Sequence, residues 1–214
     1  DCQHMTIKNL KNFWYSEHNS MKFCVEGVVA NWLYHLGAKE QATTFKMLST
    51  LKPEKLVVAM NVEKLPKKVT YRSGLFNPIK KCLWILREKF DCRATLPLNC
   101  HHFWSGTCAF DNLSKIKCPV LLSLMSSSSH YNHVIIVWQS RIIDFEQKST
   151  YPFTLANLDF ACGVGCTFRR ITYGYGLAPP IALRRQCDKH TGNWGHEELC
   201  PGGELYEFVS KKKG

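Results

Sequence analysis

A chain of 214 residues is long enough to bury a core without disulfides. Its 45% hydrophobic and 21% charged composition is that of an ordinary globular protein, which excludes a disordered or fibrous chain. The net charge of +11 points to an acidic partner, nucleic acid or an anionic surface, or to solubility aided by the basic tail Lys211-Lys212-Lys213. The basic residues are scattered in pairs (Lys67-Lys68, Lys80-Lys81, Arg169-Arg170, Arg184-Arg185), with no long stripe interleaved with aromatics. No apolar run approaches the ~18 residues of a membrane span, so none is expected. The 11 cysteines are an odd number, so at least one thiol stays unbridged if the others pair. A core of this size makes bridges unnecessary, which favours an intracellular compartment, cytosol or nucleus, over secretion.

The first twenty residues are polar and aromatic and read as an extended approach to a helix, with Ser20 placed to cap it. That helix runs from Cys24 to Leu36. Its apolar positions 25, 28, 29, 32, 33 and 36 recur with helical period, which predicts one buried stripe. Gly37 is placed to close it. Residues 40–51 form a second helix candidate with Ala42, Phe45 and Leu48 inward, stopped by Pro53. Pro78 to Asp91 forms a third, with Ile79, Cys82, Leu83, Leu86 and Phe90 at helical spacing and Pro78 suited to its start. After residue 92 the pattern changes to short apolar runs, read as strands at 118–125, 133–138, 141–145 and 168–175, with a serine loop at 126–129. Helices first and strands second predict an α+β fold, with the N-terminal helical part packed on an antiparallel sheet.

Cys24 heads its helix, where the positive end of the helix dipole favours thiolate. If Gln139-Ser140 turns a hairpin, Val137 faces Ile142 and Ile135 faces Asp144. His133 and Asp144 are then diagonal neighbours on one face, roughly 7–8 Å apart at the backbone. Gln-Ser is a poor two-residue turn, and an odd-length loop would move Asp144 to the other face. A carboxylate among Ile142, Ile143 and Phe145 is costly to bury unless paired. With the carboxylate on one ring nitrogen, the other is left for a thiol, the arrangement of nucleophilic catalysis.

The stretches Asn19-Ser20-Met21-Lys22-Phe23-Cys24-Val25, His133-Val134-Ile135-Ile136-Val137 and Ile142-Ile143-Asp144 resemble the papain-like cysteine proteases over roughly residues 18–160. The resemblance lies in the order Cys, His, Asp and in local context. It implies acyl transfer through a thioester at Cys24, with His133 as base and acid and Asp144 as its orienter, on a peptide or isopeptide bond and with no cofactor. The family usually carries a Gln shortly before the nucleophile; Glu17-His18-Asn19-Ser20 stands here, so His18 or Asn19 takes the oxyanion role beside the Cys24 N–H. A second resemblance, to ovarian-tumour-type deubiquitinases through His130-Tyr131, would make His130 the base; no Asp-Gly-x-Cys precedes Cys24 to support it.

The catalytic domain is placed at residues 1–180, with a basic Cys/His-containing extension at 181–214. Within the extension, Cys187, His190, His196 and Cys200 have spacings compatible with a structural zinc, a Cys187–Cys200 disulfide or plain thiols. Cys162-Gly163-Val164-Gly165-Cys166 reads as a glycine turn with two buried thiols, as a bridged loop or as the source of two metal ligands. The competing reading of the whole chain is a non-catalytic Cys/His-rich zinc module contacting nucleic acid or a protein, or a degenerate protease fold used for interaction.

Overall fold

The computed structural model describes residues 10, 13–14, 24–71, 75–92, 94–96, 119–126, 133–163, 165–177, 204–205 and 211–212. Three helices expected from periodicity are present: α1 (Cys24–His35), α2 (Lys39–Ser49) and a later one ending the helical half (Pro78–Phe90). Pro53, expected only to stop α2, instead opens a further helix, α3 (Pro53–Met60), because a proline at the first helical position sacrifices an N–H that had no partner there. The Pro78–Phe90 helix is therefore α4. Its Asn77 cap accepts a hydrogen bond from the Lys80 N–H at 3.4 Å.

Gly37 closes α1 as expected. It adopts a φ of 91°, and the N–H groups of Gly37 and Ala38 reach back to the carbonyls of Tyr34 and Leu33, which is a Schellman closure. The expectation of a single buried stripe on α1 is corrected. Residues 25–33 and His35 are all buried, because α2 and α4 pack against the helix on one side and the sheet against it on the other.

The strands are β1 (Val62–Lys64), β2 (Thr70–Tyr71), β3 (Leu75–Phe76), β4 (Ala94–Leu96), β5 (Val120–Ser126), β6 (His133–Trp138), β7 (Arg141–Asp144), β8 (Ser149–Pro152), β9 (Phe168–Leu177), β10 (Glu204–Leu205) and β11 (Lys211–Lys212), with α5 (Leu155–Cys162) between β8 and β9. Seven form one sheet in the order β10-β4-β9-β5-β6-β7-β8, every neighbouring pair antiparallel. Ser126 ends β5 rather than starting the serine loop, whose remaining residues 127–129 lie outside the described residues. At the β9–β5 pairing Gly174 faces Leu122, whose Cδ2 would stand 2.8 Å from any added Cβ, so a side chain there would displace the Leu122 side chain.

The fold is mixed α+β with its helical half on an antiparallel sheet. Both faces of that sheet are covered, which is why β5 and β6 are buried along their length and largely apolar instead of alternating. Leu121, Val134, Ile136, Trp138 and Ile143 pack with α1, α2 and α4. Val120, Leu122, Leu124, Ile135, Val137 and Ile142 pack with Leu158 and Ala161 of α5. No helix among the described residues is long and apolar enough to cross a membrane.

Candidate active site

Of the two hairpins the sequence left open, the one with Gln139-Ser140 as a two-residue turn is formed. Val137 faces Ile142, and Gln139 and Ser140 make the two-residue turn with φ of 51° and 59°. Positive φ at both positions gives the twist that matches antiparallel strands, so sheet pairing overrides the poor local preference of Gln-Ser. At the open end of this hairpin His133 Nε2 and Asp144 Oδ2 are 2.7 Å apart, with the carboxylate fully buried. The second carboxylate oxygen, Oδ1, accepts the Gln147 N–H at 3.1 Å, so Asp144 also holds the turn between β7 and β8.

That turn carries a residue that sequence reasoning missed. Glu146 Oε2 lies 3.2 Å from His133 Nδ1, so both imidazole nitrogens face carboxylates. The only sequence signal was a second acid two residues beyond the first. A polar turn such as Phe145-Glu146-Gln147-Lys148 does not reveal where its side chains go. Burial pulls the His133 imidazole down, but hydrogen bonds and charge from Asp144 and Glu146 more than offset this and push it up to about 9.

The proton on His133 is thus held more tightly in the folded chain than in the unfolded one. Its stabilising contribution is complete below about pH 6.5 and is lost as pH rises through about 9. The full effect is on the order of 3 kcal/mol. Lys80, held down at about 8 by burial and by Lys68, acts with the opposite sign over part of this range. The expected result is therefore a difference: His133→Gln should lose less stability than the wild type between about pH 6 and pH 10 in urea titrations. Equal losses would show that His133 is not clamped.

Cys24 is the first residue of α1 and half-buried. Its thiol is pushed up rather than toward thiolate. Burial is the largest cause, the Glu26 and Glu146 charges add to it, and the backbone N–H groups of Val25 and Cys24 only partly offset them. The dipole expectation is corrected for that reason: desolvation and two acids outweigh a helix end.

The three residues do not share one face. His133 pairs directly with Leu124, which belongs with Ile135 and Val137 to the layer under α5. Alternation places Asp144 on the same side as Ile142. Cys24 packs instead with the layer under α1. Glu146 is what links them: it lies 3.2 Å from His133 Nδ1, and its charge reaches Cys24.

A second buried ion pair underlies α1. Glu26 Oε2 lies 3.2 Å from Lys81 Nζ of α4, and the same ammonium donates to the Ser49 carbonyl at 2.7 Å. On the opposite side, Cys162 and Cys166 are thiols rather than halves of a bridge. Burial, then Asp159 and Cys166, push the Cys162 thiol up to about 11.

His18 and Asn19, the oxyanion candidates, lie outside the described residues, as do His130 and the set Cys187, His190, His196 and Cys200. Among the described residues no group of three or more His, Cys, Asp or Glu side chains is placed to hold a metal. No protein-family model, curated protein or solved structure matches the chain.

Proposed function

We propose that this chain is a cysteine-dependent hydrolase of papain-like architecture that cleaves a peptide or isopeptide bond through a thioester. The observation that carries the reading is the buried His133–Asp144 hydrogen bond of 2.7 Å, with Glu146 against the same imidazole and its charge reaching Cys24. A carboxylate buried among isoleucines is expensive, and pairing it to a histidine through Nε2 assigns proton transfer to Nδ1, the nitrogen that the part-exposed Glu146 faces.

In the proposed reaction Cys24 Sγ attacks the carbonyl carbon as its proton passes to His133 Nδ1. The C–N bond then breaks as the imidazolium returns that proton to the departing amine. Water, deprotonated by His133, attacks the thioester carbon; the C–S bond breaks, the carboxylic acid leaves, and the imidazolium returns its proton to Cys24 Sγ. Asp144 holds the tautomer and stabilises the imidazolium. The Cys24 N–H, with His18 or Asn19, serves the oxyanion. No cofactor is needed for these steps. The substrate is a protein or peptide, and the charge of +11 favours an acidic one or one bound to nucleic acid.

A second reading is favoured by the sheet faces and the raised thiol: the same architecture, degenerate and used for interaction. Reaction with p-nitrophenyl acetate separates the two. A hydrolase gives nitrophenolate release with a thioacetyl group on Cys24 by mass spectrometry, abolished in Cys24→Ala and slowed in His133→Ala. Release that is indifferent to both substitutions would leave the interaction reading.

A further inference from the structure

Asp144 takes one nitrogen of His133 and Glu146 the other, at 2.7 and 3.2 Å. A base clamped on both nitrogens has no lone pair with which to take a proton. Any chemistry at His133 therefore begins with the departure of one carboxylate. The two are not equivalent. Asp144 is fully buried and doubly committed, to His133 and to the Gln147 N–H. Glu146 is one-third exposed, at the tip of a tight turn in which Lys148 adopts a φ of 53° and its N–H reaches the Phe145 carbonyl at 3.3 Å. Glu146 is the one that can swing into solvent.

We propose that Glu146 is a carboxylate latch on His133: it occupies Nδ1, the nitrogen that acyl transfer needs, and the site is switched on when its carboxylate is displaced. This rests on the hydrolase reading and adds its regulation. Glu146 acts through His133, so it is a positioning residue and not a catalytic one. Its charge also reaches Cys24, so its departure relaxes both partners together: the imidazole gives up its extra proton more readily and the thiol ionises more readily. The groups that set this balance are Asp144 and Glu146 on the β7–β8 hairpin, Tyr151 of β8 beside Asp144, and Cys24 and Glu26 on α1. Because Asp144 Oδ1 organises the turn that carries Glu146, the orienter of the base also presents its latch.

The test uses the whole chain as wild type, Glu146→Gln and Glu146→Ala, with the exposed Glu54→Gln as a charge control. Two quantities are followed against pH: the His133 imidazole signals by NMR, and iodoacetamide labelling of Cys24 located by mass spectrometry. Both Glu146 variants should lower the His133 pKa by about one unit and raise Cys24 labelling at neutral pH about twofold, since burial and Glu26 still hold the thiol up. Glu54→Gln should change neither. Unchanged titration of His133, or a lowered pKa with Cys24 labelling unchanged or slower, would overturn the latch. Neither readout requires turnover. The effect of His133→Ala on acetyl transfer tests the hydrolase reading by itself, so the two ideas fail separately.

Discussion

Replacing Lys81 with methionine should cost the fold about 3–5 kcal/mol, measured by urea denaturation near neutral pH. Lys81 and Glu26 are each only 4% exposed, and the ammonium is shared between the Glu26 carboxylate and the carbonyl of Ser49, the last residue of α2. One side chain thus ties α4 to both α1 and the end of α2. Its removal leaves a carboxylate in an apolar layer and a helix-end carbonyl without its ammonium. Burial already pushes the Glu26 carboxyl up, and Lys81 is the main influence holding it down. In Lys81→Met the carboxyl is expected to take up a proton on folding, so the loss should shrink as pH falls. The double variant Glu26→Leu/Lys81→Met removes both charges and should recover most of the stability, because two desolvation penalties vanish with the pair. A loss below about 1 kcal/mol for the single variant would mean that the pair is solvated like a surface bridge.

That ion pair lies across two stretches whose apolar spacing was readable, and it was not itself readable. Glu26 and Lys81 stand 55 residues apart and each looks like a polar position on an amphipathic helix. Only the packing of α1 between helices and sheet turns both inward. The helix ends were legible because their signals are local: Gly37 supplies the left-handed residue of a Schellman closure, and Pro78 with Asn77 supplies a start. Pro53 carries the same local signal as Pro78, and reading it as a stop hid α3.

The hairpin register was legible only conditionally: a two-residue turn at Gln139-Ser140 puts Asp144 near His133, and an odd-length loop would not. The turn that delivers it contradicts local preference, and the sheet prevails. What β6 and β7 could not tell is which face His133 takes, since a strand buried on both sides has no polar face to mark the period. The helix α5 was invisible for a related reason. Only Leu158 and Ala161 of its eight residues are buried, which leaves Leu155 and Phe160 exposed and blurs any stripe.

Asp144 is the residue on which the candidate site turns, and Asp144→Ala should lower acetyl transfer to Cys24 about a hundredfold to ten-thousandfold. Two hydrogen bonds go with the side chain: the one that orients His133 and the one to the Gln147 N–H. The obvious conservative change is not conservative here. A carboxylate offers two acceptor oxygens and both are engaged, whereas the amide of Asp144→Asn offers one acceptor and one donor. If its oxygen serves His133 Nε2–H, its NH2 is aimed at the Gln147 N–H and the β7–β8 turn loosens. If its oxygen serves Gln147, the NH2 faces the imidazole and forces the nitrogen there to be an acceptor, so the ring proton moves to Nδ1, where the thiol proton must go. Asp144→Asn should therefore fall well short of wild type in acetyl transfer, though less so than Asp144→Ala, and both should lower the His133 titration. An unimpaired rate in Asp144→Ala would remove the pair from catalysis. A wild-type rate in Asp144→Asn would mean that the Gln147 contact contributes nothing to the placement of the turn, and that hydrogen-bond acceptance by a single oxygen is all that His133 requires.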